Sequence, residues 1–169
     1  MFKFDSKVVL ITGASYGLGE QFAYDFAEAG ADLIITARSS ELLEAVAANC
    51  RQKGAKVTVS CGDVAKEEDV QRVVSSGIKE HGKIDVLINN AGIADMRGVA
   101  AEQFDAETFN NILSVDLVGA FYFARECGRH MLENGSGSVV NICSIMGSGG
   151  NENNIIGYII GLPIELLSQ

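Results

Sequence analysis

The most constraining feature of this chain is a β-branched run, Val8-Val-Leu-Ile-Thr12, that ends directly in spaced glycines, Gly13-Ala-Ser-Tyr-Gly17-Leu-Gly19. Five apolar or β-branched residues without alternation predict a strand buried on both faces, which requires helices above and below a parallel sheet. The glycines permit a sharp turn into the next segment. Residues 17–29 there predict a helix with Phe22, Ala23, Phe26 and Ala27 on one face, and Gly30 ends it.

The same alternation continues along the chain. Strands are expected at 33–36, 56–60, 84–89 and 137–143, and helices at 40–52, 66–80 and 107–132. Ser40 is the expected cap of the second helix. No repeat, linker or low-complexity tract interrupts the pattern, so residues 1–169 are read as one domain. The fold class is α/β: a Rossmann-like doubly wound parallel sheet.

Composition narrows the function classes. Thirteen Lys and Arg against 22 Asp and Glu give a formal net charge of −9, so the chain as a whole repels nucleic acid and anionic lipid. A phosphate-bearing ligand therefore needs a local device. The cysteines at 50, 61, 127 and 143 fit no zinc or redox spacing, and His81 and His130 are far from any paired cysteine, so no metal is expected. Unpaired thiols in a reducing compartment, hence a cytoplasmic protein, are the simple reading. No apolar run precedes Val8, and the apolar tail 155–167 is short and broken by Gly157, Gly161, Pro163 and Glu165, so neither a secretory signal nor a membrane span is expected.

The glycine loop is that local device. Its G-x-x-x-G-x-G spacing differs from the G-x-G-x-x-G fingerprint, yet the physics is shared. Gly13 turns the chain; Gly17 and Gly19 keep Cβ atoms away, so a pyrophosphate can approach the backbone and the helix N–H groups. A glycine-rich turn without a ligand is the alternative. In an NAD site an acidic residue about 20 positions later takes the ribose 2′-hydroxyl. The segment here is Thr36-Ala-Arg38-Ser39-Ser40, with no acid. A guanidinium at Arg38 and a hydroxyl at Ser39 suit a 2′-phosphate, which points to NADP(H) over NAD(H); the alternative is a solvated Arg38 near a helix start.

Four segments in register carry a family resemblance: Thr12-Gly-Ala-Ser-Tyr-Gly-Leu-Gly19, Asp63-Val64, Asn89-Asn-Ala-Gly92 and Asn141-Ile-Cys-Ser144. Together they resemble the short-chain dehydrogenase/reductase family over residues 5–150. The resemblance implies an oxidoreductase that interconverts an alcohol and a carbonyl with a nicotinamide dinucleotide. It implies that the loop residues Gly13, Ser15, Tyr16, Gly17, Leu18 and Gly19 hold the pyrophosphate side. It further implies that Asp63 and Val64 meet the adenine, and that Asn90, Ala91 and Gly92 meet the inner part of the cofactor. Ser144 matches the serine that polarises the substrate oxygen, and Tyr158 falls where the proton-transferring tyrosine is expected. Asp116 stands where the family usually has an Asn that holds a water.

Three departures accompany the resemblance. The family Lys four residues after the Tyr is replaced by Leu162, and no Lys or Arg follows Arg129. Asp116 replaces the Asn. The pattern is lost over 151–169, where the family continues into further strands and a substrate-covering region. A C-terminally incomplete sheet with impaired turnover is therefore expected, self-associating through exposed apolar surface or forming a homo-oligomer. A frameshift, an altered splice junction and a natural short form completed by another chain all remain open. The alternative function is a nucleotide-binding half-domain without turnover.

Overall fold

The computed structural model describes residues 3–94 and 101–143. The strands are β1 (Val8–Thr12), β2 (Asp32–Thr36), β3 (Val57–Val59), β4 (Val86–Asn89) and β5 (Ser138–Asn141). They form one sheet in the order β3-β2-β1-β4-β5, with every neighbouring pair parallel. The helices are α1 (Gly17–Glu28), α2 (Ser40–Gln52), α3 (Glu67–His81), α4 (Ala106–Ile112) and α5 (Ala120–Glu133). A π-helical segment, Leu113–Gly119, joins α4 to α5 without a break.

Strand β1 is buried along its whole length, as its composition predicts. Its residues alternate between two cores. Val9 and Ile11 pack with Leu33 and Ile35 of β2 beneath Ala23 and Ala27 of α1 and Leu43, Val46 and Ala47 of α2. Val8, Leu10 and Ile34 pack on the opposite face against Val70, Val73 and Val74 of α3 and Phe123, Cys127 and Met131 of α5. Helices on both faces of a parallel sheet are the doubly wound arrangement, and this explains why β1 shows no polar alternation. Burial pushes the Cys50 thiol up to about 11 and the Cys127 thiol up to about 12, so both behave as small apolar side chains.

Two details differ from the sequence reading. The cap of α2 is Ser39, whose side chain accepts the Leu42 N–H at 3.4 Å; Ser40 is already the first helical residue. The continuous helix expected over 107–132 is instead α4, a π segment and α5. Leucine and valine at every third or fourth place satisfy both geometries, so apolar spacing alone does not separate α from π. Among the described residues β5 stands at the sheet edge, with Val140 43% exposed, and the segment 151–169 lies outside them.

At the amino ends of β1 and β4 one carboxylate holds the strands together. Asp85 accepts the Val8 N–H at 2.8 Å and pairs with Lys83 at 2.9 Å and Lys7 at 3.2 Å. Burial works against its charge, but the Val8 N–H and the two ammonium groups outweigh burial and hold the carboxyl below its usual range. Its contribution is therefore present above the ordinary aspartate pKa of about 3.9 and is lost as pH falls through the lower folded value. Asp85→Ala should cost about 1–3 kcal/mol at pH 7, because the Val8 N–H is left without a partner. Urea titration should show this loss shrinking toward pH 3, with no change in ligand binding at the opposite sheet end.

Candidate dinucleotide site

The strand order reverses direction between β1 and β4. The chain adds β2 and β3 on one side of β1, then crosses to place β4 and β5 on the other. In open α/β sheets the crevice at such a switch point, beyond the carboxyl ends of the strands, receives the ligand. The loops after β1 and β4 meet there.

Thr12, at the end of β1 and 2% exposed, joins those loops. Its hydroxyl oxygen accepts the N–H groups of Asn90 and Ala91, both at 3.0 Å, and donates to the Ile88 carbonyl at 3.5 Å. One donor and two acceptor positions are thus all used. The Asn90 side-chain amide returns the contact, donating to the carbonyls of Thr12 at 3.0 Å and Gly13 at 3.3 Å. Neither Thr12 nor this double bonding was singled out from the sequence; the available signal was a Thr directly before Gly13 in the first motif.

The clamp explains the glycines. A Cβ on Gly13 would stand 2.8 Å from Ala91 Cα, and one on Gly19 would stand 2.5 Å from Asn90 Nδ2 and overlap the Gly13 carbonyl. Gly19 is therefore required by the close approach of α1 to the clamp. Gly17 has φ +63° and open space beside it, so its role is the left-handed turn. Tyr16, the residue before α1, makes no side-chain cap, so among the described residues no side chain is seen to accept the first-turn N–H groups of α1. The side chains of Tyr16 and Leu18 project from the loop, 71% and 63% exposed, while Ser15 is buried within it. A concave backbone surface with N–H groups at a helix start fits a pyrophosphate.

The remaining expected cofactor residues lie along the same end of the sheet. Arg38 follows β2, is exposed, and its guanidinium makes no ion pair or hydrogen bond among the described residues. Ser39 accepts the Leu42 N–H, and its hydroxyl proton remains available to a second partner. Asp63 follows β3 and closes a turn by accepting the Ala65 N–H at 3.1 Å. The Val64 side chain turns inward, 8% exposed, and a Cβ on Gly119 would stand 2.9 Å from its Cγ2. Asn90 and Ala91 are fixed by Thr12, and Gly92 is exposed beside them. Ser144 and Tyr158 lie outside the described residues.

Asp116 sits in the π segment and approaches Gly92 from below. Its carboxylate accepts the Ile93 N–H at 2.9 Å, and a Cβ on Gly92 would be 3.7 Å from the same oxygen. Burial pushes its pKa up to about 6, with the Ile93 N–H only partly opposing the rise. The folded state therefore binds this proton more tightly than the unfolded chain, and the residue subtracts stability as pH rises from about 4 through 6. Asp116→Asn keeps an acceptor for Ile93 and removes the charge. It should raise the thermal midpoint by roughly 2–6 °C at pH 7.5, and the gain over the parent chain should vanish near pH 4 in a calorimetric series.

Among the described residues no cluster of three or more His, Cys, Asp or Glu is placed to hold a metal ion, and no helix is long and apolar enough to cross a membrane. The short chain dehydrogenase family model matches residues 7–157. The chain is 34% identical over 147 residues to 2-dehydro-3-deoxy-D-gluconate 5-dehydrogenase of Formosa agariphila, covering 86% of this chain and 55% of that protein. It is 36% identical over 144 residues to D-threitol dehydrogenase of Mycolicibacterium smegmatis, covering 85% and 54%. The crystal structure of levodione reductase superposes with a TM-score of 0.93 at 35% identity, covering 98% of this chain and 64% of that one. The structure of NAD+-bound xylitol dehydrogenase gives 0.91 at 32%, covering 98% and 63%. The chain thus spans about half the length of these curated relatives. With the switch-point crevice, the glycine loop and the clamp in place, these matches establish that the chain belongs to the short-chain dehydrogenase/reductase family.

Proposed function

We propose that this chain binds NADP(H) in preference to NAD(H) and derives from an oxidoreductase that interconverts a small-molecule alcohol and carbonyl, with turnover impaired in the 169-residue form. The observation that carries the cofactor reading is the exposed Arg38 guanidinium at the end of β2, next to Ala37 where a carboxylate would face the 2′-hydroxyl. A 2′-phosphate offers that guanidinium a bidentate, charge-assisted partner in a chain whose net charge is otherwise −9. The relatives support the reaction class: their names describe dehydrogenases of a sugar acid and of a sugar alcohol.

When bound, the dinucleotide supplies the hydride donor or acceptor. The protein's part is positional and protonic. The Gly13–Gly19 loop and the N–H groups of α1 receive the pyrophosphate, Arg38 and Ser39 the 2′-phosphate, and Asp63 and Val64 the adenine. Asn90, Ala91 and Gly92 line the inner end over Asp116. Ser144 donates a hydrogen bond to the substrate oxygen, and Tyr158 exchanges the proton with it. A tyrosine hydroxyl holds its proton to a pKa near 10 unless a cation stabilises the phenolate. Leu162 supplies none, and this is why turnover is expected to be weak. The reading extends to a cytoplasmic protein that self-associates, supported by the 83% exposure of Leu132 and 45% exposure of Phe121 on α5.

Fluorescence titration with NADPH and NADH tests the cofactor assignment. Arg38→Asp should weaken NADPH binding by about 10–100-fold and shift relative preference toward NADH, since it replaces attraction of the phosphate by repulsion. Equal NADPH affinity in the two proteins overturns it. In the same preparations NADPH-linked carbonyl reduction should be close to background. Robust turnover that Tyr158→Phe abolishes would instead show that another cation replaces the missing Lys.

A further inference from the structure

The loop between β3 and α3 is held by residues that the reading above does not use. Asp69 lies in the first turn of α3, at the place where an acidic side chain ordinarily reaches back to cap its own helix. The residue before α3, Lys66, makes no side-chain cap, and Asp69 bonds elsewhere: its Oδ2 accepts the Asp63 backbone N–H at 2.9 Å. Arg72, one turn further along, donates to Asp69 Oδ1 and to the Cys61 carbonyl, the latter at 2.9 Å. A Cβ on Gly62 would be 3.3 Å from Asp69 Cβ and 3.5 Å from Arg72 Nη2, so this pair packs directly under the turn. The Gly62 N–H donates to the Ala37 carbonyl at 3.0 Å and the Cys61 thiol to the Arg38 carbonyl at 3.0 Å, which ties the same turn to the end of β2. The Asp63 N–H donation and then the Arg72 guanidinium hold the Asp69 carboxyl below its usual range, so it is an ionised acceptor at neutral pH.

Asp63 is thereby set from both sides. Its backbone N–H is fixed by Asp69, and its Oδ1 accepts the Ala65 N–H at 3.1 Å. Its Oδ2 has no partner among the described residues. A carboxylate oxygen is an acceptor only. It complements an exocyclic amino group, as on adenine, and opposes an oxo group at the same ring position.

We propose that Asp69, oriented by Arg72, is a positioning residue that aims the Asp63 carboxylate so that the site selects a 6-amino purine over a 6-oxo purine. The proposal rests on the dinucleotide reading and deepens it: base selectivity is set one layer behind the residue that meets the base. Because a backbone N–H is being held, an uncharged acceptor at position 69 suffices, whereas a side chain without an acceptor does not.

Isothermal calorimetry on the 169-residue chain with NADP+ and with its nicotinamide hypoxanthine analogue tests this. The parent chain should prefer the adenine form by about tenfold, the scale of one hydrogen bond made or opposed. Asp69→Ala should reduce that ratio to about twofold or less, while Asp69→Asn, which keeps an acceptor oxygen, should retain it. A purely structural role would lower affinity for both dinucleotides alike and leave the ratio at tenfold, and that result overturns the proposal. If Asp69→Ala does not fold, Arg72→Gln takes its place: a reduced ratio supports the positioning role and an unchanged ratio refutes it. Equal binding of both dinucleotides by the parent chain refutes base selection while leaving the dinucleotide reading intact. Binding of neither refutes both.

Discussion

The candidate site depends on one hydroxyl. Thr12 ends the central strand, and its side chain accepts two N–H groups from the loop after β4 while donating to the Ile88 carbonyl. Parallel strands β1 and β4 are already joined by their ladder, but a ladder stops where the strands stop. The clamp extends that connection past the strand ends into two loops that would otherwise be independent. Asn90 completes it by donating to the carbonyls of Thr12 and Gly13. Buried backbone groups are costly when unpaired, so the two loops have little freedom to separate. The glycine requirements at 13 and 19 are consequences of this tight approach.

Both sheet ends are pinned, by different chemistry. At the amino end Asp85 uses charge, with two lysines and a backbone N–H around one carboxylate. At the carboxyl end the joint is neutral: a hydroxyl, an amide and main-chain groups. A neutral joint puts no carboxylate in the glycine loop itself, so a negatively charged ligand meets helix N–H groups there and Arg38 at the end of β2, while the carboxylates of Asp63 and Asp116 stand farther along the crevice. The acidic excess of the chain is carried elsewhere, in part in the first turn of α3, where Glu67, Glu68 and Asp69 favour the helix amino end.

Much of the fold was legible because a strand buried on both faces leaves a short unbroken apolar run between turn residues. The runs at β1 and β2 are short, rich in β-branched residues and flanked by glycine, which favours strands, and the glycine loop announces the strand-to-helix turn. The four motifs also placed the candidate site at the carboxyl ends of the strands. What was not legible is what depends on direction in space. Ser39 and Ser40 are equivalent as letters, and only backbone geometry makes Ser39 the cap of α2. Asp69 reads as a helix-end acid, and nothing in its neighbours shows that it turns toward Asp63. Thr12 reads as the last residue of a strand, because its partners are 76–79 positions away. Ser144 and Tyr158 were placed by motif alone and lie outside the described residues.

The π segment between α4 and α5 acts as an insertion that has been kept. Each wide turn accommodates one residue more than an α turn, and such turns occur often at functional sites. Winding residues 113–119 as regular α instead, with α5 held against the sheet, would tighten that turn. It would also rotate everything on the amino side by about 100° about the helix axis. Asp116 would leave the Ile93 N–H, and Ile112, buried among Ile93, Phe104, Leu113 and Leu117, would turn out of its small apolar cluster. The segment therefore works as a phase adjuster: it lets one continuous helix satisfy the sheet with one half and the floor of the crevice with the other, two surfaces whose angular positions no single α period can match.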